Sequence, residues 1–407
     1  MTDTAKRFLR YVQIDTTSEE GHETTPSTAC QFDLARLLVE ELKELGAQDV
    51  YLDEQLCYVY ASLPSNIDKA VPRLGFVAHM DTSPAVTGKN VKPIITENYD
   101  GSDIVMGTSG RVLSAKEYPS LLNYIGQTII CTDGNTLLGA DDKAGVAEIM
   151  GFVQYCKEHP EYKHGDIKIA FTPDEEVGMG TFGFDIPRFG ADFAYTVDGG
   201  PVGGIDYECF NAAGAMVTIN GTSIHPGSAK GFMKNANRLA MEFDALLPRA
   251  ESPEYTEGYE GFYHLDTMSA TCDSAKMSYI IRDHDAAKFD ARKKLFTEAV
   301  AFMNAKHGEG TVELELSDTY RNMREIVEQH PHLIENAKRA YTELGIKWYT
   351  EPVRGGTDGA SLCRRGLPCP NLATGGHNCH GRYEYCVAES LDTMVAVLVK
   401  VAAIYAE

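Results

Sequence analysis

The most constraining feature of the sequence is a pattern that occurs four times, in which a short apolar segment leads to an aspartate, glutamate or histidine. The apolar segments are 74–78, 129–130, 167–171 and 193–197. They lead, in the same order, to His79 and Asp81, to Asp141, to Glu175 and Glu176, and to Asp198. Because ligands bind at the carboxyl ends of strands in open α/β sheets, the pattern predicts that these side chains meet at one sheet edge.

The length of 407 residues exceeds what one hydrophobic core usually supports, so two or three domains are expected. From about residue 208 the pattern changes to strand candidates that alternate with helical stretches, an order typical of a small α+β domain. The strand candidates are 215–219, 275–281 and 312–316, and the helical stretches lie near 234–248 and 286–306. Helical periodicity returns at 332–343 and 388–405. We therefore predict an α/β domain formed by residues 1–207 and 320–407, with a smaller domain, 208–319, inserted into it.

The charge and the apolar segments exclude several classes of partner. A formal net charge of −22 argues against nucleic acid or an anionic membrane surface as the main partner. The first residues lack an apolar segment of signal-peptide type, and no apolar run reaches the roughly 18 residues of a membrane helix. The ten cysteines form no C-x-x-C pair, so a cysteine zinc site is not expected. We expect a cytoplasmic protein with no nucleic acid or membrane partner.

The acids and histidines at the predicted strand ends are suited to a pair of metal ions. Zinc binds imidazole nitrogen and carboxylate oxygen, and two zinc ions about 3.5–4 Å apart need a bridging carboxylate with further ligands on either side. Two histidines and three carboxylates form a minimal set, which leaves a further carboxylate available as a general base. The candidates are His79, Asp81, Asp141, Glu175, Glu176, Asp198 and His380.

Each local motif also has an interpretation without chemistry. His79 could be a buried histidine at a strand end, followed by a solvated Asp81. The acids at 174–176 could form a solvated turn, although the apolar strand before them and the glycines after them favour a site. Asp141 and Asp142 could cap a helix that begins near residue 143 and place negative charge in its first turn.

Five segments together resemble the M20 family of dinuclear zinc peptidases, and the resemblance extends over essentially the whole chain. It implies a zinc-exopeptidase-like catalytic domain with a mixed sheet and flanking helices, and an inserted lid and dimerisation domain. The segments are V-A-H-M-D-T (77–82), L-G-A-D-D-K-A-G (138–145), T-P-D-E-E-V-G (172–178), T-V-D-G-G (196–200) and G-H-N-C-H-G (376–381).

The resemblance implies a role for each metal-site candidate. Asp141 would bridge two zinc ions, with His79 and Asp198 holding one ion and Glu176 and His380 holding the other. Cobalt or manganese could replace zinc, since imidazole and carboxylate suit several metals.

The resemblance also implies two catalytic residues. Asp81 would orient the imidazole of His79, and Glu175 would be the general base that later protonates the leaving amine.

Four further residues are candidates for binding substrate. In similar proteins a histidine matching His225 reaches the partner subunit's site and stabilises the oxyanion. Arg282 and Arg354 could each bind a substrate carboxylate through the planar guanidinium, and Asn235 could add a polar contact. A turn histidine, surface arginines and a surface asparagine are the alternatives.

The function implied by the resemblance is that of a metal-dependent aminopeptidase acting on tripeptides. Its partners would be short peptides with a free N-terminus and a second copy of the chain, bound through the lid domain. A deacylase, dipeptidase or carboxypeptidase of the same type remains an alternative, because the metal residues do not determine the substrate. A catalytically silent metal-binding scaffold is a second alternative, which the unligated Glu175 disfavours.

Overall fold

The structure, a computed structural model, describes residues 1–22 and 24–407, which form two compact units. The first unit comprises Met1–Tyr207, Glu325–Glu351 and Thr357–Glu407, and the second comprises Glu208–Arg324 and Pro352–Gly356. The sequence pattern does not predict that the short segment 352–356 belongs to the second unit.

The two units contain ten α-helices and seventeen strands within the described part of the chain. The helices are α1 (Asp3–Tyr11), α2 (Gln31–Leu45), α3 (Ala140–Glu158), α4 (Ile186–Phe189), α5 (Ala236–Asp244), α6 (Ala286–His307), α7 (Arg324–Val327), α8 (His332–Glu343), α9 (Asp358–Arg364) and α10 (Ala388–Ala406). The strands are β1 (Gln48–Leu52), β2 (Val59–Leu63), β3 (Leu74–His79), β4 (Pro93–Thr96), β5 (Ile104–Met106), β6 (Arg111–Leu113), β7 (Ile129–Thr132), β8 (Ile167–Thr172), β9 (Phe193–Gly199), β10 (Ile205–Asp206), β11 (Asn211–Asn220), β12 (Phe262–Ala270), β13 (Ser274–Asp283), β14 (Val312–Tyr320), β15 (Asn371–Ala373), β16 (Gly376–His377) and β17 (Tyr385–Val387). Among the described residues, no helix has both the length and the apolar character needed to cross a membrane.

A mixed seven-stranded sheet, in the order β1-β2-β8-β3-β9-β15-β10, forms the centre of the first unit. Its four middle strands, β8, β3, β9 and β15, are parallel to one another. Every residue of β2 and β3 is buried, as is usual for the inner strands of an α/β sheet. The carboxyl ends of β8, β3 and β9 therefore lie side by side, with His79 paired to Thr172. The predicted α/β fold with a mixed sheet is confirmed.

Helix α3 packs against β3 and β9 and against helices α1 and α10. The approach to β9 is close at Gly145, where a Cβ atom would lie 1.8 Å from the backbone oxygen of Val197. Only glycine fits such an approach, so packing fixes the first regular turn of α3 against the strand that carries Asp198.

One of the four apolar segments does not belong to the central sheet, contrary to the sequence expectation. Strand β7 lies in a separate antiparallel sheet of order β16-β17-β7-β4, where it pairs with β4 and β17. Asp141 therefore does not follow directly from a strand of the central sheet but is among the first residues of α3, after the loop 133–139. The expected meeting of four strand ends is correct for β3, β8 and β9 and wrong for β7.

The second unit is a four-stranded antiparallel sheet of order β12-β13-β11-β14, against which helices α5 and α6 pack. In β13 the side chains alternate between buried and more exposed positions, as expected for a sheet with one covered face. Strand β12 was not predicted. It is an edge strand with mostly exposed or half-buried residues, so it lacks the apolar alternation that marks its neighbour β13.

Phe296 lies in the core of the second unit and should contribute strongly to its stability. Phe296 is fully buried on α6, with its ring 5.3 Å from that of Phe243 and 5.1 Å from that of Tyr279. We expect Phe296→Ala to lower the free energy of unfolding by about 3–5 kcal/mol, because it removes a large apolar side chain and leaves a cavity. Phe302→Ala on the same helix, where the side chain is 50% exposed, is the matched control for chemical denaturation. Equal effects of the two substitutions would contradict this assignment of the core.

Candidate active site

His79, the last residue of β3, is buried and faces three carboxylates. Its Nδ1 lies 3.1 Å from the backbone oxygen of Asp81 and 3.3 Å from Asp81 Oδ1. Its Nε2 lies 2.9 Å from Asp141 Oδ1 and 3.5 Å from Asp198 Oδ1. If Nδ1 donates to Asp81, the lone pair of the neutral ring is on Nε2 and points between Asp141 and Asp198, as a metal ligand requires.

Asp81 also fixes the turn that carries the two adjacent glutamates. Its Oδ1 accepts the backbone N–H of Glu175 at 2.9 Å, and its Oδ2 accepts that of Glu176 at 3.2 Å. One fully buried carboxylate thus holds both the imidazole at the end of β3 and the backbone after β8. The sequence predicts the contact with His79 but not the two contacts with this turn.

A second group forms around His380. Its Nε2 lies 2.9 Å from Glu176 Oε2 and 3.1 Å from Asp141 Oδ2. The two oxygens of Asp141 therefore face different histidines, so this residue is shared by two groups. Within each group the potential ligand atoms lie within 4.8 Å of one another; the groups are His79–Asp141–Asp198 and Asp141–Glu176–His380.

The donor atoms of both groups fit divalent cations. Each group offers one imidazole nitrogen and two carboxylates, and one carboxylate presents a separate oxygen to each group. Glu176 Oε1 is buried and has no hydrogen-bond partner among the described residues. A buried carboxylate oxygen without a partner is costly, and a bound cation would remove that cost.

The pKa values in this cluster reflect its crowded negative charge. Burial opposes ionisation of Asp141, but hydrogen bonds with His380 and His79 lower its pKa below the usual value. Burial raises the pKa of Asp198 to about 6 and that of Glu176 to about 7. Hydrogen bonds to Asp141 and Glu176 raise the pKa of His380 to about 11. The carboxylates favour positive charge beside them, which bound cations also supply.

The first residues of α3 combine the two interpretations that the sequence left open. Asp141 and Asp142 are joined by a cis peptide. Both have non-helical backbone angles, and the regular helix begins after them. Asp142 is fully buried and accepts the N–H groups of Gly145 and His79, each at 3.1 Å. Asp142 therefore caps the helix, while Asp141 faces the two histidines.

Two further carboxylates support the site without being among the predicted residues. Asp174, in the left-handed conformation with φ 55°, precedes Glu175 and accepts hydrogen bonds from Ser27 and Gln31. Glu384 accepts three backbone N–H groups from the turn that carries Asp141. Asp174 stands in a motif that the sequence singled out, whereas Glu384 is a single acid between two tyrosines and has no recognisable signal.

The four predicted substrate-binding residues all lie in the second unit. His225 is exposed, and its Nδ1 accepts the N–H of Gly227 at 3.1 Å. The proton of the neutral ring is therefore on Nε2, which can donate to a ligand. Asn235 caps α5, because its Oδ1 accepts the N–H of Asn237 at 3.1 Å.

The two arginines make contacts within the second unit that the sequence does not predict. Arg282 donates to the backbone oxygens of Ala213 and Ile281, and its guanidinium lies 5.2 Å from the ring centre of Tyr320. Arg354 donates to backbone oxygens of the 256–260 loop and lies over two phenylalanine rings. In this conformation the guanidinium of Arg354 serves to hold that loop.

The chain is similar to M20 peptidases in sequence and in structure. Residues 207–311 match a family model, that of the M20 peptidase dimerisation domain. Aminopeptidase PepT from Bacillus cereus has a similar structure, with a TM-score of 0.78, 24% identity and coverage of 99% of this chain and 98% of that one. A dinuclear metal-binding M20 peptidase from Bacillus subtilis shares the fold, with a TM-score of 0.65, 14% identity and 98% coverage of both chains. The fold of this chain and its dimerisation-domain match are therefore those of the M20 peptidases.

Curated relatives make the assignment more specific. Peptidase T of Alkaliphilus oremlandii is 52% identical over 100% of both chains. Peptidase T of Caldanaerobacter subterraneus is 53% identical, over 100% of this chain and 99% of its own. The chain belongs to the peptidase T family.

Proposed function

We propose that this protein is a metal-dependent aminopeptidase that releases the N-terminal residue from tripeptides. The observation that carries the proposal is the pair of ligand groups sharing Asp141, with Glu175 on the adjoining turn but in neither group. A site that only bound metal would have no use for such a carboxylate. The similarity to proteins named peptidase T, over the whole chain, supports the substrate class.

Two cations, with zinc the first candidate and cobalt or manganese as alternatives, would be held by the two groups. His79 and Asp198 would hold one, Glu176 and His380 the other, and Asp141 both. When bound, the cations supply Lewis-acid polarisation of the scissile carbonyl and make a water molecule more acidic.

Glu175 is proposed as the proton carrier. Its backbone is fixed by Asp81, and burial together with the nearby Asp198 raises the pKa of its carboxyl group. A raised pKa strengthens the carboxylate as a base and makes its acid form a usable donor near neutral pH. The carboxylate accepts the proton of the attacking water and then delivers it to the nitrogen of the leaving peptide.

The first unit is proposed as the catalytic domain and the second as a lid and dimerisation domain. The match of 207–311 to a peptidase dimerisation domain supports a homodimer formed through the second unit. His225 of a partner subunit would donate through Nε2 to the oxyanion, a role that fits its exposed ring and its tautomer. Sedimentation analysis is expected to give twice the chain mass of 44.7 kDa, and a monomer at all concentrations would contradict the dimer.

The remaining substrate contacts stay predictions. Arg282, Arg354 and Asn235 are proposed to contact the peptide, although each has a structural contact of its own. The acids of the site would favour the free N-terminal ammonium group of the peptide. The cytoplasmic location also stays a prediction from the sequence.

The test of the function is a panel of four peptide types on the zinc-loaded protein. An unblocked tripeptide is compared with its N-acetylated form and with the matching dipeptide and tetrapeptide. We expect efficient release of the first residue from the free tripeptide, with little cleavage of the other three.

Other results of the panel would support other functions. Cleavage of the acetylated peptide would show that the free amine is not recognised and would favour a deacylase. Preference for the dipeptide, or release of the C-terminal residue, would favour a dipeptidase or carboxypeptidase. Absence of any hydrolysis by protein containing two equivalents of zinc would favour a silent scaffold.

A further inference from the structure

Glu384 is a fully buried carboxylate in the loop between β16 and β17, four residues after His380. Its Oε2 accepts the N–H groups of Leu138 at 2.7 Å and Gly139 at 2.8 Å. Its Oε1 accepts the N–H of Asp141 at 3.1 Å. One side chain thus binds three of the four successive residues that bring Asp141 into the site.

The turn from Leu138 to Asp141 depends on such an acceptor. Gly139 is in the left-handed conformation with φ 81°, and Asp141 has φ −85° and ψ 105°, so neither continues the helix. Backbone N–H groups just before the first regular turn of a helix have no intrahelical acceptor and need one from elsewhere. Glu384 provides it through hydrogen bonds to a carboxylate, which are stronger than those to a neutral acceptor.

The loop that carries Glu384 also carries His380 in an unfavourable conformation. Asn378 and His380 have φ values of 56° and 61°, a region that residues other than glycine rarely adopt. Such residues persist where surrounding contacts hold them. Asn378 Nδ2 donates to the backbone oxygen of Tyr383 at 3.0 Å, and Glu384 joins the end of the loop to the Asp141 turn.

We propose that Glu384 is a positioning residue that sets the distance between Asp141 and His380, and thereby the cation affinity of the Asp141–Glu176–His380 group. The inference rests on the proposed function, since it requires that this group binds a cation. Loss of the carboxylate loosens two of the three ligands in this group. In the other group it loosens Asp141 alone, because His79 and Asp198 belong to strands of the central sheet.

The test is a zinc titration of metal-free wild type and Glu384→Gln, in competition with a chelator of known affinity. Glutamine has nearly the same size but only one acceptor oxygen, and its NH₂ group would face a backbone N–H. We expect the wild type to bind two zinc ions. We expect the variant to bind one zinc ion about 10–100-fold more weakly, the usual effect of losing a partner that orients a ligand, and the other with a smaller loss of affinity. Activity of the variant should recover as free zinc is raised, which a general loss of folded protein would not allow.

Glu389→Gln is the matched control. Glu389 also accepts a backbone N–H, that of Thr128 at 2.9 Å, and the hydroxyl of Thr128 at 3.0 Å. It lies at the start of α10, in the same C-terminal part of the chain, and its hydrogen bonds go to residue 128 rather than to the Asp141 turn. We expect it to bind two zinc ions with wild-type affinities.

The outcomes separate this inference from the proposed function. If the wild type binds fewer than two zinc ions, the metal pair and this inference both fail. If the wild type binds two zinc ions and Glu384→Gln binds both with wild-type affinity, only the inference fails. If Glu384→Gln shows no cooperative melting, Glu384→Asp is titrated instead, with the same expectation because its carboxylate is one methylene shorter. Failure of both variants to fold would also overturn the inference, since Glu384 would then be required by the fold as a whole.

Discussion

Replacement of Glu175 by glutamine is expected to lower kcat for a tripeptide at least several hundredfold, within the range of about 10²–10⁴ typical of general acid–base catalysis. The amide cannot accept the proton of the attacking water. Metal binding should be unchanged, because Glu175 belongs to neither ligand group. Folding should also be retained, since burial and the nearby Asp198 raise the pKa of Glu175 and a neutral side chain suits the position.

The adjacent Glu176→Gln variant is the control for this prediction. Glu176 Oε2 lies 2.9 Å from His380 Nε2, so this variant should lose metal from the Asp141–Glu176–His380 group. Metal content after gel filtration and kcat at saturating zinc separate the two effects. A Glu175→Gln protein that retains a tenth of wild-type activity would contradict the assignment of the base, and equal metal loss in both variants would contradict the division between the two glutamates.

Asp141→Asn is expected to have the largest effect on metal content. Asp141 is the one residue that the two ligand groups share, and its two oxygens face His79 and His380. An amide offers one neutral oxygen in place of two charged ones, so both groups should bind zinc poorly. Activity should then be lost whatever the state of Glu175.

Asp198→Asn and His380→Ala are the controls for this prediction. Each of these residues belongs to one group only, so each variant should retain close to one zinc ion per chain while Asp141→Asn retains close to none. Zinc is counted by mass spectrometry on protein desalted in metal-free buffer. Retention of two ions by Asp141→Asn would exclude Asp141 as the shared ligand.

The proximity of the candidate site residues on the central sheet was predictable because its signals are local. His79 and Asp198 come at the ends of apolar strands, and Glu175 and Glu176 come shortly after another, so sequence order and strand direction together place them at one edge. The α/β fold and the inserted smaller unit follow from the same periodicity. For Asp141 the expectation of proximity agrees with the structure, but its route through β7 does not, because no feature of a short apolar run shows which sheet it joins.

What the sequence did not indicate depends on contacts between distant residues. Glu384 meets the N–H of Leu138 across 246 residues, and a single acid between aromatic residues gives no sign of such a partner. Strand β12 is an exposed edge without apolar alternation. The sequence presented Arg354 as a substrate ligand or a surface arginine, whereas its hydrogen bonds are made to a loop about a hundred residues earlier in the chain.

The strand order of the central sheet has a consequence for how the chain reaches its native state during synthesis. Strand β10 precedes the second unit, yet its neighbour in the sheet is β15, which also lies beside β9 and follows the second unit. During synthesis β9 and β10 therefore emerge from the ribosome well before β15, the strand that lies between them. The edge of β9 that pairs with β15 stays unpaired while the second unit emerges. His79, Asp141 and Asp198 are already present at that stage, whereas His380 is among the last residues to appear. Closure of such a long-range pairing is slow compared with local folding. We therefore expect the sheet and the Asp141–Glu176–His380 group to be completed together, after the inserted unit has emerged.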